Sequence, residues 1–302
     1  FTAVPESAFL EQMRSSAERR NRELVERVNA FTAPVSLDYA TDVLPLTPSG
    51  NATERHLCEA YALKAAGQFT GDDLARFWAE KLGVAPEELD LPSGAGLQGM
   101  IRAKTMKQGG AGYVRPGEGA FPLMAEMNEF TRAAGAIPAM AWLKGLSAGE
   151  QALDELFDVH IRNGSEGINI IPDRNFESGV QNQELQNLYD VVEKAEACDF
   201  PVWIGTEMNS PGLRFADDFD APELAPVLPA FRKGAHILYG HSVLHRRAGL
   251  GYVSPWADHT FGGKADKNAF YEELGQRLTP ATASRLDDLD DQPTPQEILA
   301  VT

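Results

Sequence analysis

Cysteine is nearly missing from this chain, with two in 302 residues, Cys58 and Cys198. They lie far apart and show no metal-ligand spacing, so a disulfide framework and a zinc ribbon are both excluded. The pair leaves room for one bridge at most and fits a reducing cytosol. Positive charge is scarce as well: 27 Lys and Arg stand against 44 Asp and Glu, for a formal net charge of −17. Such a surface repels phosphate backbones, which argues against nucleic acid as a partner. No apolar run approaches the length of a membrane span, and no signal-peptide pattern is present. The expectation is a cytoplasmic protein with a small-molecule substrate and no membrane partner, open to homo-oligomer formation. Also missing are a Walker loop, an HExxH helix and a CxxC pair, and Gly164-Ser165-Glu166-Gly167 is not a nucleophile elbow. An initiator Met is absent too. The chain starts at Phe1 and enters an amphipathic helix at once (Leu10, Met13, Ala17, Leu24, Val28, Phe31), which suggests a fragment of something longer.

What is present is a rhythm. The runs AIPAMAW (136–142), GINII (167–171), PVWIG (201–205) and AHILYG (235–240) read as buried strands. A capping box at Ser147-Ala-Gly-Glu150 and an apolar face on Leu153, Leu156, Phe157, His160 and Ile161 mark an intervening helix. A second helix carries Leu185, Leu188, Val192 and Ala195. Strand starts 31, 34 and 34 residues apart imply βα units and a parallel sheet. The fold expected is α/β, a distorted β/α (TIM-like) barrel or part of one. Residues 1–37 supply a barrel helix and 38–120 a helical insertion or cap. Residues 121–280 form the barrel portion, and 281–302 a loose acidic tail.

In such folds chemistry gathers where strands end. After the second strand come Asp173, a candidate base or metal ligand, and Arg174, a candidate anion clamp. The plainer alternative is a turn in which the two pair. After the third come Glu207 and Asn209, a carboxylate and an amide suited to a hard cation or to sugar hydroxyls. Glu207 can equally pair with an arginine. At the end of the fourth stand His241 and, four residues on, His245, able to chelate a metal or share acid and base duties. His160 and His236 read as structural. Arg102, Lys104, Lys107 and Arg115 form an acid-free basic stretch around glycines that can cradle a phosphate or carboxylate. The acidic cluster Asp217, Asp218, Asp220 and Glu223 reads as a solvated approach to a helix.

Several short motifs resemble those of the PHP (polymerase and histidinol phosphatase) superfamily of metal-dependent phosphoesterases. Arg55-His56-Leu57 looks like the motif opening that family's helical insertion, which adds Arg55 and His56 to the candidate substrate-binding residues. Ala134-Gly135-Ala136 with Ala141-Trp142-Leu143, Glu166-Gly167-Ile168-Asn169 and Gly205-Thr206-Glu207-Met208-Asn209 look like later elements. Trp142 stands where the family has a metal-binding His, Glu207 and Asn209 replace an Asp and a His, and the N-terminal HxH strand is absent. The resemblance implies a PHP-type barrel and a hydrolase of small phosphorylated or anionic substrates. Its divalent metal (Mn, Fe, Zn or Mg) would be held by Glu207, Asn209 and His241 and would activate water. A sugar isomerase or aldolase on the same rim, and a non-catalytic binding protein, are the alternatives.

Overall fold

The computed structural model describes residues 7–115, 117, 120–180, 182–208, 214–290 and 292–302. The chain divides into two compact units, Glu6–Pro122 and one built on Leu123–Thr302.

Among the described residues of the first unit the regular elements are all helical. Helix α1 (Ala8–Thr32) starts where the Ser7 side chain accepts from the Leu10 N–H at 3.2 Å, a Ser N-cap. Helices α2 (Glu54–Gln68), α3 (Asp72–Leu82) and α4 (Ala95–Ile101) follow, and α4 runs into a wider π-type turn, Arg102–Met106. Leu24 and Val28 from α1 share one core with Leu57, Tyr61, Trp78 and Ile101. The phenol of Tyr61, fully buried there, donates to the Val25 carbonyl at 3.1 Å, so its one polar atom is not stranded in the core.

The second unit begins with α5 (Met124–Ala133) and then alternates. Strand β1 (Ala139–Trp142) leads through α6 (Ala148–Gln151) and α7 (Leu153–Arg162) to β2 (Gly167–Ile170). Helix α8 (Gln183–Ala197) leads on to β3 (Val202–Ile204). The three strands are parallel in the order β1-β2-β3, with Ala139 opposite Gly167 and Ile168 opposite Val202. After β3 come α9 (Leu228–Ala248), α10 (Pro255–Thr260), α11 (Lys264–Arg277), α12 (Pro280–Ala283) and α13 (Pro295–Val301).

This corrects the expected architecture. Among the described residues the chain is about 60% helical with only 5% in strands, and the three strands found there cannot close a TIM-like or PHP-type barrel, which takes about eight. The run AHILYG, expected as a fourth strand, lies wholly inside α9. That helix packs against β3 so closely that a Cβ on Gly234 would sit 1.7 Å from the Val202 carbonyl oxygen. Only glycine allows the approach.

The sheet's core joins Met140, Trp142, Ile168, Ile170 and Val202 to Phe157, Leu188 and Phe231 on the helices. A second core holds Tyr252, Tyr271 and Leu274. Residues 281–302 contribute Leu286 and Ile298 to it, and Trp256 donates its indole N–H to the Pro293 carbonyl at 2.9 Å. Each such aliphatic side chain stabilises the fold by about 1.5–3 kcal/mol. Ahead of β2, Glu166 is the hub of an ion network. It pairs with Arg132, with Lys264 at 3.1 Å and with Lys267 at 3.8 Å, and Arg132 also reaches Asp258 at 2.8 Å. Among the described residues no helix is long and apolar enough to cross a membrane. Cys58 and Cys198 are free thiols.

Candidate active site at the strand ends

The C-terminal ends of the three strands open on a cavity of about 310 Å³. Each strand delivers a charged side chain, and the turns after β1 and β2 are locked in shape by hydrogen-bonded polar residues.

After β1, Lys144 lies in a turn clamped from two sides. Glu150 accepts from the backbone N–H of Leu143 at 2.8 Å and of Lys144 at 3.2 Å. Asn187, from α8, donates to the carbonyls of Lys144 at 3.0 Å and Gly145 at 3.1 Å. Gly145 has φ +71°, and a Cβ there would lie 2.6 Å from the Asn187 amide nitrogen, so the turn requires glycine. Burial opposes ionisation of Glu150, yet the N–H groups of Leu143, Ser147 and Lys144 and the Ser147 hydroxyl outweigh it and lower its pKa.

After β2, Pro172–Arg174 forms a 3₁₀ turn that carries Asp173 and Arg174. The fully buried Asn175 secures it by donating to the Ile171 carbonyl at 2.9 Å. After β3, Thr206 and Glu207 reach the cavity, and Arg214 and Asp217 enter it from the segment before α9. Arg174 forms a tight ion pair with Glu207. Arg214 stands 3.9 Å from Asp173. Among the described residues Lys144 has no carboxylate partner.

Asp217 differs from the other acids. It is 8% exposed, and its Oδ1 is buried without a hydrogen-bond partner among the described residues. Burial pushes its pKa up; the Asp173 backbone N–H pulls it partly back, and the Asp173 charge pushes it up again. The cavity thus holds three cations and three carboxylates, one of them with its pKa raised by burial. That combination can grip an anion and move a proton on it.

The candidates from the sequence scatter. Asp173, Arg174 and Glu207 meet in this cavity. Asn209 lies outside the described residues. His241 and His245 lie in the last turns of α9, on no strand end. His241 is buried, its Nδ1 accepts from the Tyr252 N–H at 2.9 Å, and burial drives its pKa down to about 4. His245 is stacked on it with ring centroids 5.7 Å apart. Arg55, Arg102 and Lys107 line a cavity of the other unit. His56 caps α2 through its Nδ1, which accepts from the Thr53 N–H at 3.0 Å. Lys104 and Arg115 are exposed and line neither cavity.

Two of the three residues expected to hold a divalent metal, Glu207 and His241, have other partners, and the third, Asn209, lies outside the described residues. Glu207 is engaged by Arg174 and His241 by Tyr252, and among the described residues no three His, Cys, Asp or Glu side chains gather to bind an ion.

Sequence reasoning missed Lys144, Arg214 and Asp217. Lys144 follows the rule that found Asp173 and Glu207, applied to the first strand. Asp217 carries no such signal, because four acids in a row of loop residues read as a solvated surface.

No protein-family model, no curated protein and no solved structure matches this chain. The PHP resemblance therefore rests on its short motifs, and the barrel it implied is replaced by the three-stranded sheet.

Proposed function

We propose that the chain is an enzyme acting on a small phosphorylated substrate by general acid–base chemistry, with hydrolysis of the ester as its reaction. One observation carries the reading: the buried carboxyl oxygen of Asp217, partnerless among the described residues, beside Asp173 in a cavity whose other charges are Lys144, Arg174, Arg214 and Glu207. The phosphate lies among Lys144, Arg214 and the outer face of Arg174, which stabilise the charge spread over its oxygens. Water attacks phosphorus and gives its proton to Asp173. The ester P–O bond breaks, and Asp217 donates a proton to the departing oxygen. Solvent exchange then returns both carboxyls to their starting states. Thr206 is the one side-chain hydroxyl among the cavity's described lining residues, and no histidine lines the cavity to activate it, so water is the nucleophile of choice.

The test is inorganic phosphate release from p-nitrophenyl phosphate and a panel of sugar phosphates. Asp217→Asn is expected to lower kcat by about 10²–10⁴-fold and to remove the fall in rate at higher pH. An unchanged rate and pH profile in that variant would falsify the assignment. Thermal stabilisation of the wild-type chain by these phosphates with no turnover would also overturn it and leave a binding protein. Activity is expected to survive EDTA; loss in EDTA restored by Mn²⁺ would instead make Asp173 and Asp217 metal ligands.

Lys144 favours a second reading. An amine with no ion partner among the described residues, set in an acid-bearing cavity, suits Schiff-base formation with a carbonyl substrate, the aldolase-type alternative. Borohydride trapping of a sugar phosphate on Lys144 separates this from hydrolysis.

A further inference from the structure

The helical unit has a cavity of its own, about 420 Å³, lined entirely by residues of that unit. Its charge is opposite to that of the chain as a whole. Arg20, Arg55, Arg102 and Lys107 line it against a single acid, Glu54, in a protein of net charge −17. Glu54 is no site for a cation, because it is already spent on two of these residues. Arg102 Nε lies 2.6 Å and Lys107 Nζ 2.9 Å from the same oxygen, Oε2. Those bonds hold the two cations in fixed positions while leaving their other N–H donors unused. Arg20 and Arg55 have no carboxylate partner among the described residues. Four cations with one counter-charge leave the cavity unbalanced by three.

The rest of the wall is mixed: Asn21, Thr53 and Tyr113 bring polar groups, and the other lining residues are apolar. Leu24, Ala52, Met106, Val114 and Phe121 are the apolar ones. Phe121 is 60% exposed, and the Arg20 guanidinium lies over its ring at 5.1 Å. An exposed phenyl ring backed by an arginine offers one free face for stacking. Inorganic anions have no use for such a wall. A ligand with a planar apolar body and a doubly charged head satisfies both halves, and the volume suits one small organic molecule.

We propose that this cavity binds a phosphate monoester with a planar ring, its phosphate among Arg20, Arg55, Arg102 and Lys107 and its ring against Phe121. The inference does not rest on the reading of the strand-end cavity, and the control below keeps the two apart.

The experiment is calorimetric titration of the full chain with phenyl phosphate, and separately with inorganic phosphate. Phenyl phosphate is expected to bind more tightly than inorganic phosphate by about tenfold or more. Arg55→Ala and Phe121→Ala, both at exposed side chains outside the core, should each weaken phenyl phosphate by about tenfold, the scale of one charge-assisted contact or one stacked ring. Arg174→Ala, in the other unit, affects only phosphate held at the strand ends, so the part of the phenyl phosphate affinity that Arg55→Ala and Phe121→Ala weaken should persist in it. Equal affinity for the two probes overturns the role of Phe121. Full affinity in Arg55→Ala, or loss in Arg174→Ala alone, overturns the site.

Discussion

Arg174 places two nitrogens, Nε and Nη2, on a single carboxylate oxygen of Glu207. The pair ties the turn after β2 to the rim after β3, 33 residues away in the chain. Arg174 is thereby held with one edge taken and the other facing the cavity. Glu207 is a positioning residue in this arrangement. Glu207→Gln keeps the shape and removes the charge, so it should raise KM by roughly tenfold with kcat and the pH profile little changed. A fall in kcat with KM constant would make Glu207 a participant in the chemistry instead.

Glu166 sustains the largest ionic network of the second unit. Its side chain is 13% exposed, and Lys267 beside it is 10% exposed. Glu166→Gln leaves Arg132, Lys264 and Lys267 with Asp258 alone. Removing one partner of a buried ion network costs about 3–5 kcal/mol, so the urea midpoint should drop steeply at unchanged slope. A change below about 1 kcal/mol would show the network to be solvated.

Gly234 is where α9 touches β3. Gly234→Ala forces a methyl onto the Val202 backbone and should destabilise by about 1–3 kcal/mol or more. The control is Gly149→Ala in α6, where a Cβ meets nothing within 4 Å and helix propensity favours Ala by up to about 1 kcal/mol. If the two variants shift the melting temperature alike, the contact at Gly234 does not limit packing.

Histidine burial makes stability fall on the acid side of neutral. Burial holds His241 at about 4 against an ordinary 6.5, with the adjacent His245 adding to the effect, and burial lowers His160 as well. The unfolded chain therefore takes up protons first as pH falls. The stabilisation from neutral His241 is complete above pH 6.5 and is lost as pH drops toward 4, roughly 3 kcal/mol in all. Urea midpoints between pH 7.5 and about 5, above the range where most carboxylates titrate, should decline in the wild type and decline less in His241→Gln. Equal slopes would mean that His241 titrates normally in the folded chain.

Much of the local structure was legible in the residues. Ser147 and Glu150 form the capping box their spacing implies. Phe157 is buried on α7, Leu185, Leu188, Val192 and Ala195 are buried on α8, and 136–142, 167–171 and 201–205 each contain a strand. The fourth run misled for a physical reason. His236-Ile237-Leu238-Tyr239 is a short apolar stretch that periodicity cannot assign, and Gly234 and Gly240 beside it read as turn punctuation. Both glycines are contact points inside a helix, where a Cβ would strike Val202 and Tyr271. The better signals were Pro229 in the first turn, the spacing of Ala230, Phe231, Gly234, Ile237, His241 and Leu244, and Gly249 as a left-handed stop at φ +71°.

The sequence by itself located β1, β2 and β3 and the helices between them, since capping and apolar periodicity are local properties of the chain. It also marked Asp173, Arg174 and Glu207, because a side chain just past a buried strand has few places to go. Only the tertiary structure decided that Lys144, Arg214 and Asp217 join them, that Arg55, Arg102 and Lys107 gather around Glu54 in the other unit, and that His241 is sealed against Tyr252. Burial and the approach of charges from distant segments settle those questions, and neither is a function of spacing along the chain.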